Sequence, residues 1–175
     1  MEKSYKEYLS NITTFVFDVD GVLTDGTVMI TTDGELLRKM NIKDGYALKV
    51  AISKGYNVCI ITGGTNEGVK KRLQGLGITD IYLGAHHKID ALDEYLDIYG
   101  IDAKAVLYMG DDIPDIPPMQ IVGMATCPQN ATPEVKTNCH YISPINGGAG
   151  CVRDVIEQVL KVRGDWMNHF SAAND

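Results

Sequence analysis

FVFDVDGVLTDG, residues Phe15 to Gly26, runs from an apolar, β-favouring stretch straight into two aspartates one residue apart, and then a glycine. Asp18 and Asp20 carry like charges that repel one another and are costly to bury without partners. Four further apolar runs rich in β-branched residues follow the strand-like ITTFVF (12–17): YNVCII (56–61), DIYLG (80–84), AVLYMG (105–110) and IVGMAT (121–126). Helical segments separate them, and this alternation predicts an α/β fold around a buried parallel sheet.

Between the runs the apolar period changes to that of a helix, at Ile89, Leu92, Leu96 and Tyr99, and again at Val152, Val155, Ile156, Val159 and Leu160. Both stripes are expected to pack on the sheet as core. One segment departs from the pattern. TVMITTDGELLRKMN (27–41) has a turn-forming TTDG between two apolar arms and reads as a β-hairpin inserted after the first strand. HFSAAND (169–175) reads as a loose tail. The whole chain of 175 residues, 1–175, fits one domain.

Hydrophobic residues make up 45 % and charged residues 22 % of the chain, the balance of a packed globular protein. No apolar run reaches the ~18 residues of a membrane span, and MEKSYKEYLSN lacks the apolar core of a secretory signal, so a cytoplasmic protein is expected. The net charge of −7 argues against nucleic acid or an anionic membrane as partner. An anionic substrate therefore needs a local cation. Cys59, Cys127, Cys139 and Cys151 show no metal-ligand spacing and read as reduced thiols.

In an open α/β sheet, ligands gather at the C-terminal ends of the strands. There the chain places Asp18, Asp20, Gly21, Thr24 and Asp25, then Thr62, Gly63 and Gly64, then Lys88, then Asp111, Asp112 and Asp115. A single such aspartate reads equally well as a helix cap or turn former. Two clusters converging on one rim call for a compensating cation. A hard dication on oxygen ligands fits, and Mg²⁺ suits a few carboxylates together with a phosphate. His86 and His87 are adjacent, do not aim at one point, and read as loop residues.

DVDGVLTD (18–25), ITGG (61–64), Lys88 and GDDIPD (110–115) resemble, in order and spacing, the four motifs of the haloacid dehalogenase superfamily of phosphotransferases. KDGYALK (43–49), KKRLQGLGI (70–78), YMGDDIPD (108–115) and NGGAGCVRDV (146–155) add a resemblance to its small capless phosphatases of 3-deoxy-D-manno-octulosonate 8-phosphate. The resemblance implies a Rossmann-like, three-layer parallel sheet with an inserted hairpin, and hydrolysis of that ester in lipopolysaccharide precursor synthesis. It makes Asp18 the nucleophile of an aspartyl-phosphate intermediate and Asp20 the acid and base. It gives Mg²⁺ the Asp18 carboxylate, the Asp20 carbonyl and Asp111 as ligands, with Asp112 or Asp115 behind them positioning waters or Lys88. Thr62, Gly63 and Lys88 are the expected phosphoryl-binding groups.

Related enzymes often cover the site with a cap domain, for which this chain has no room. The hairpin and INGGAG (145–150) are the two segments left to close the site, although the latter reads equally as a flexible linker. The resembling phosphatases form ring-like tetramers through their hairpins, and a homotetramer is expected here. They often carry an arginine where this chain has Gly64, suited to the sugar carboxylate. Lys70, Arg72 or Arg153 are the candidates to replace it. Three other readings compete. A phosphatase of a nine-carbon, neuraminate-type 9-phosphate is the nearest; a non-catalytic binding subunit is disfavoured by the intact motifs, and a phosphomutase by the missing cap.

Overall fold

Thr14–Phe17 is buried throughout and alternates between two cores: Phe15 and Phe17 point to one, Val16 to the other. The computed structural model describes residues 4–166, and the tail expected at 169–175 lies outside them. The elements in order are α1 (Lys6–Leu9), β1 (Thr14–Phe17), β2 (Met29–Ile30), β3 (Leu36–Leu37), α2 (Ile42–Ser53), β4 (Asn57–Ile61), α3 (Glu67–Gly75), β5 (Asp80–Tyr82) and α4 (Lys88–Tyr99). They continue with β6 (Val106–Met109), α5 (Ile116–Ile121), β7 (Met124–Cys127), α6 (Pro133–Lys136), β8 (Tyr141–Ile142) and α7 (Cys151–Val162).

The main sheet has six strands in the order β5-β4-β1-β6-β7-β8, every pair parallel. Its central strands are apolar on both faces because each face is covered. Val58, Ile60, Leu107 and Met109 meet α1, α2, α3 and α7, while Cys59, Ile61, Val106 and Tyr108 meet α4, α5 and α6. This is the expected three-layer α/β architecture. The α7 stripe is buried in full, from Val152 to Leu160. At ~1.5–3 kcal/mol for each buried aliphatic side chain, that contact holds the helix far more firmly than propensity does.

Two local expectations are corrected, and one strand is added to those expected. In α4, Leu92, Tyr95 and Leu96 are buried, whereas Tyr99 is exposed and donates its hydroxyl to Asp80 Oδ1 at 2.7 Å. The run IVGMAT forms a strand only from Met124, because Pro117 and Pro118 open a helical turn that continues to Ile121. Gly123 then crosses the Lys104 backbone so closely that a Cβ there would overlap its carbonyl. The sixth strand, β8, is two residues long, too short for any periodic signal.

The hairpin is present as an insert without a cap: Met29 pairs with Leu37 and Ile30 with Leu36, around a turn in which Gly34 has φ +82°. From β1 the chain moves outward to β4 and β5, then returns to the opposite side of β1 at β6. The loops after β1 and β6 therefore diverge, and the crevice between them is where this topology places ligands.

Candidate active site

The turn after β1 is built to present Asp18 and Asp20. Gly21 adopts φ +91°, and a Cβ at this position would lie inside the Asp111 carboxylate, so only glycine lets the two loops meet. The buried Thr24 hydroxyl accepts from the Gly21 and Gly26 amides at 3.2 and 3.3 Å and bonds the Val19 carbonyl at 3.4 Å. Behind this turn lies the glycine-rich segment. Gly148 donates its amide to the Val22 carbonyl at 2.9 Å, and a Cβ on Gly147 would strike the Gly21 carbonyl. INGGAG is thus neither a linker nor a lid; it buttresses the turn through backbone packing.

Asp18 is buried and pairs with Lys88 Nζ at 3.0 Å; the same nitrogen lies 2.7 Å from Asp115 Oδ1. Asp115 is fully enclosed. Its Oδ1 also accepts the Tyr108 hydroxyl at 2.8 Å, and its Oδ2 accepts the Asp111 and Asp112 amides at 3.1 and 3.4 Å. Burial, and then the charge of Asp115, push Asp18 up to about 7 against the pull of Lys88. The same two causes, in the same order, raise Asp111 to about 7. Burial alone would depress Lys88, but the carboxylates of Asp115 and Asp18 outweigh it and the ammonium is held.

Carboxylate oxygens of Asp18, Asp111 and Asp115 lie within 4.8 Å of one another, and the Lys88 ammonium bridges two of the three acids, Asp18 and Asp115. That donor set of hard oxygens suits Mg²⁺. Asp111 Oδ1 is buried without a hydrogen-bond partner, while Asp115 is already engaged by four donors. The free coordinating capacity therefore sits on Asp111 and Asp18, and Asp115 anchors Lys88.

Asp18, Asp20, Thr62, Gly63, Lys88 and Asp111 line one cavity of about 440 Å³, with exposed Asp112 and His86 on its wall. Thr62 is buried, and its hydroxyl accepts the Gly64 amide at 3.2 Å, which leaves its proton to donate. Asp112 caps the turn after β6, accepting from the Ile113 amide at 2.8 Å; Asp25 likewise accepts from Thr27 in a turn leading to the hairpin. Neither Arg72 nor Arg153 lines this cavity. Arg72 borders a separate groove beside Leu37 and Met40, and Arg153 bonds Glu157 at 3.2 Å while stacking on Tyr46 and Trp166.

Two contributors went unforeseen. Arg38, at the end of the hairpin, forks onto Asp20 with bonds of 3.0 and 3.3 Å. Its signal was an arginine on an insert that leaves the chain immediately after the turn carrying Asp18 and Asp20. Tyr108 reads in sequence as core aromatic, and the only hint of more was a hydroxyl in a strand buried on both sides, which needs a partner.

Set beside known proteins, the chain is 37 % identical over 154 residues to the 3-deoxy-D-manno-octulosonate 8-phosphate phosphatase KdsC of Escherichia coli (strain K12), covering 88 % of this chain and 82 % of the relative. The chain belongs to this capless phosphatase family of the haloacid dehalogenase superfamily. The model of the haloacid dehalogenase-like hydrolases matches residues 75–156. The crystal structure of the phosphatase of the same name from Yersinia pestis superimposes with a TM-score of 0.94 at 31 % identity, covering 100 % of this chain and 94 % of that one. A Moraxella catarrhalis phosphatase, crystallised with magnesium, phosphate and a KDO molecule, gives 0.90 at 30 % identity, with 93 % of each chain covered.

Proposed function

We propose that this protein is a Mg²⁺-dependent phosphatase that hydrolyses 3-deoxy-D-manno-octulosonate 8-phosphate to the free sugar acid and phosphate, a step in lipopolysaccharide precursor synthesis. One observation carries the reading: a buried Asp18 held by Lys88, itself anchored on Asp115, at the mouth of the crevice between β1 and β6.

Asp18 attacks phosphorus with the carboxylate oxygen that Lys88 aligns. The bond from phosphorus to the sugar oxygen breaks, and Asp20 gives that oxygen its proton. Water then attacks the aspartyl-phosphate, Asp20 takes the water's proton, and Asp18 leaves as carboxylate with release of phosphate. Through both steps the Thr62 hydroxyl and the Gly63 amide donate to phosphoryl oxygens, where charge accumulates. The Asp18 and Asp111 carboxylates and the Asp20 carbonyl would hold Mg²⁺, which supplies positive charge against the phosphoryl group.

The chain acts as a single domain of 1–175 in a homotetramer in the cytoplasm. Support for assembly lies in the hairpin, where Met29 and Ile30 are 69 % and 68 % exposed and Val28, Leu36 and Leu37 are exposed beside them. Among the described residues no helix is long and apolar enough to cross a membrane. The test of function is phosphate release from the eight-carbon ester and from a nine-carbon sugar-acid 9-phosphate, each with Mg²⁺ and with chelator. A Mg²⁺-dependent preference for the eight-carbon ester is expected; preference for the other transfers the same chemistry to the longer sugar, and release from neither refutes both. A monomeric mass in sedimentation at micromolar protein refutes the assembly.

A further inference from the structure

Asp20 sits on an extended residue of the turn, with its side chain 39 % exposed. An acid so placed has rotational freedom about its own side-chain bonds, and general acid catalysis requires one oxygen to be held at the leaving group. The structure supplies a holder. Arg38 Nε donates to Asp20 Oδ1 at 3.0 Å and Nη2 to Oδ2 at 3.3 Å, in the two-point fork that guanidinium and carboxylate favour.

The guanidinium is itself fixed. Its side chain is 10 % exposed, and Nη1 donates to the Leu36 carbonyl at 3.0 Å. That carbonyl also accepts Asn66 Nδ2 at 2.9 Å, so the start of α3 clamps the hairpin at the same point. Room for the fork comes from Gly64. A Cβ there would stand 3.3 Å from Asp20 Oδ2 and 3.9 Å from Arg38 Nη2. Because that Cβ would also be 3.6 Å from Thr62 Oγ1, Oδ2 is the Asp20 oxygen that faces the Thr62–Gly64 segment.

We propose that Arg38 is the positioning residue of the acid/base step: it holds Asp20 by Oδ1 and thereby keeps Oδ2 turned toward the leaving oxygen. When Oδ2 carries the proton, Nη2 releases it while the shorter Nε bond remains. The proposal rests on the acid/base role given to Asp20 above. It also gives the hairpin a catalytic task, since no other residue of the 27–41 insert bonds an active-site carboxylate among the described residues.

Phenyl phosphate and 2,4-dinitrophenyl phosphate, neither of which carries a sugar, separate this role from substrate recognition and from mere structure. Phenolate is a strong base that leaves well only when protonated, whereas dinitrophenolate leaves unaided. The readout is kcat/KM at saturating Mg²⁺, which covers only the steps through departure of the leaving group, so the later attack of water does not enter.

Arg38→Met is expected to lose about 10²-fold on phenyl phosphate, within the usual span of general acid catalysis, and less than about threefold on the dinitrophenyl ester. Arg38→Lys should recover part of the loss, because an ammonium can hold one oxygen but not the fork. Equal losses on both esters, or no loss on either, overturn the proposal. Asp20→Asn decides between the two levels of the argument. If it shows the same selective loss and Arg38→Met does not, the positioning role alone fails; if Asp20→Asn is itself unselective, the acid/base assignment fails and the positioning role with it.

Discussion

Asp44 offers a prediction whose size follows from the structure. It lies in the first turn of α2, buried, where Oδ1 accepts the Arg153 amide at 2.8 Å and Oδ2 has no partner. Burial raises its pKa from the ordinary 3.8 to about 6, against the smaller opposing pull of the Arg153 amide and charge. Below pH ~4 the carboxyl is protonated in folded and unfolded chains alike. Between pH ~4 and ~6 the unfolded chain releases the proton and the folded one keeps it, so stability falls as pH rises; above ~6 the cost is constant. Two pH units at ~1.4 kcal/mol each make that cost about 3 kcal/mol.

In Asp44→Asn the amide oxygen keeps the Arg153 bond and nothing titrates, while the unpartnered NH₂ costs ~1–3 kcal/mol at every pH. The variant should therefore be less stable than the parent at pH 4 and draw level or surpass it by pH 7. The assay is urea unfolding of both proteins in chelator at fixed ionic strength, from pH 4 to 8. The difference in unfolding free energy is expected to move by about 3 kcal/mol in favour of the variant, with its midpoint near pH 5. Contributions from Asp18 and Asp111 cancel, since both proteins share them. A difference that stays flat with pH, or moves against the variant as pH rises, refutes the reasoning.

Asp18→Asn should abolish turnover and leave the circular dichroism spectrum unchanged, because the amide is nearly isosteric but is no nucleophile; turnover near that of the parent would remove Asp18 from its role. Lys88→Met strips the shared cation from the buried Asp18 and Asp115 and should cost ~3–5 kcal/mol in thermal unfolding without metal. Mg²⁺ should restore part of that loss, and an unchanged Tm without metal would count against the buried pair. Gly21→Ala must place a side chain at φ +91° and displace the Asp111 carboxylate. We expect ~1–2 kcal/mol of strain and at least about tenfold weaker Mg²⁺ binding by calorimetry; affinity equal to that of the parent would show that Asp111 does not contribute.

What could be read from the sequence alone was what is written locally. The β1 run, the α7 stripe and the hairpin turn are patterns of period and composition within a few residues, and burial on one or both faces dictates those patterns wherever the chain goes. The order of strand ends then placed Asp18, Thr62, Lys88 and Asp111 on one rim, because a parallel sheet returns every strand in the same direction. The structure places all four around one cavity. Local pattern failed where the signal was too short, as at β8, or where prolines overrode an apolar run, as before β7.

Tertiary structure settled the pairings between distant loops: the resemblance left Asp112 or Asp115 open behind Lys88, and the fold chose Asp115. Asp115 and Lys88 are 27 residues apart, Arg38 and Asp20 are 18, and no composition or period encodes which cation meets which carboxylate. Arg72 and Arg153 were candidates in sequence and Arg38 was not, yet the fold turned Arg72 toward a neighbouring groove and Arg153 onto Tyr46 and Glu157, and brought Arg38 to Asp20. Gly147 belongs to a segment that reads in sequence as a linker or a closing loop, and its close approach to Gly21 makes it a spacer. The physical reason is common to these cases. A hydrophobic pattern is repeated over many residues and survives averaging, whereas a specific ion pair or backbone crossing is one event, settled by where two loops come to rest.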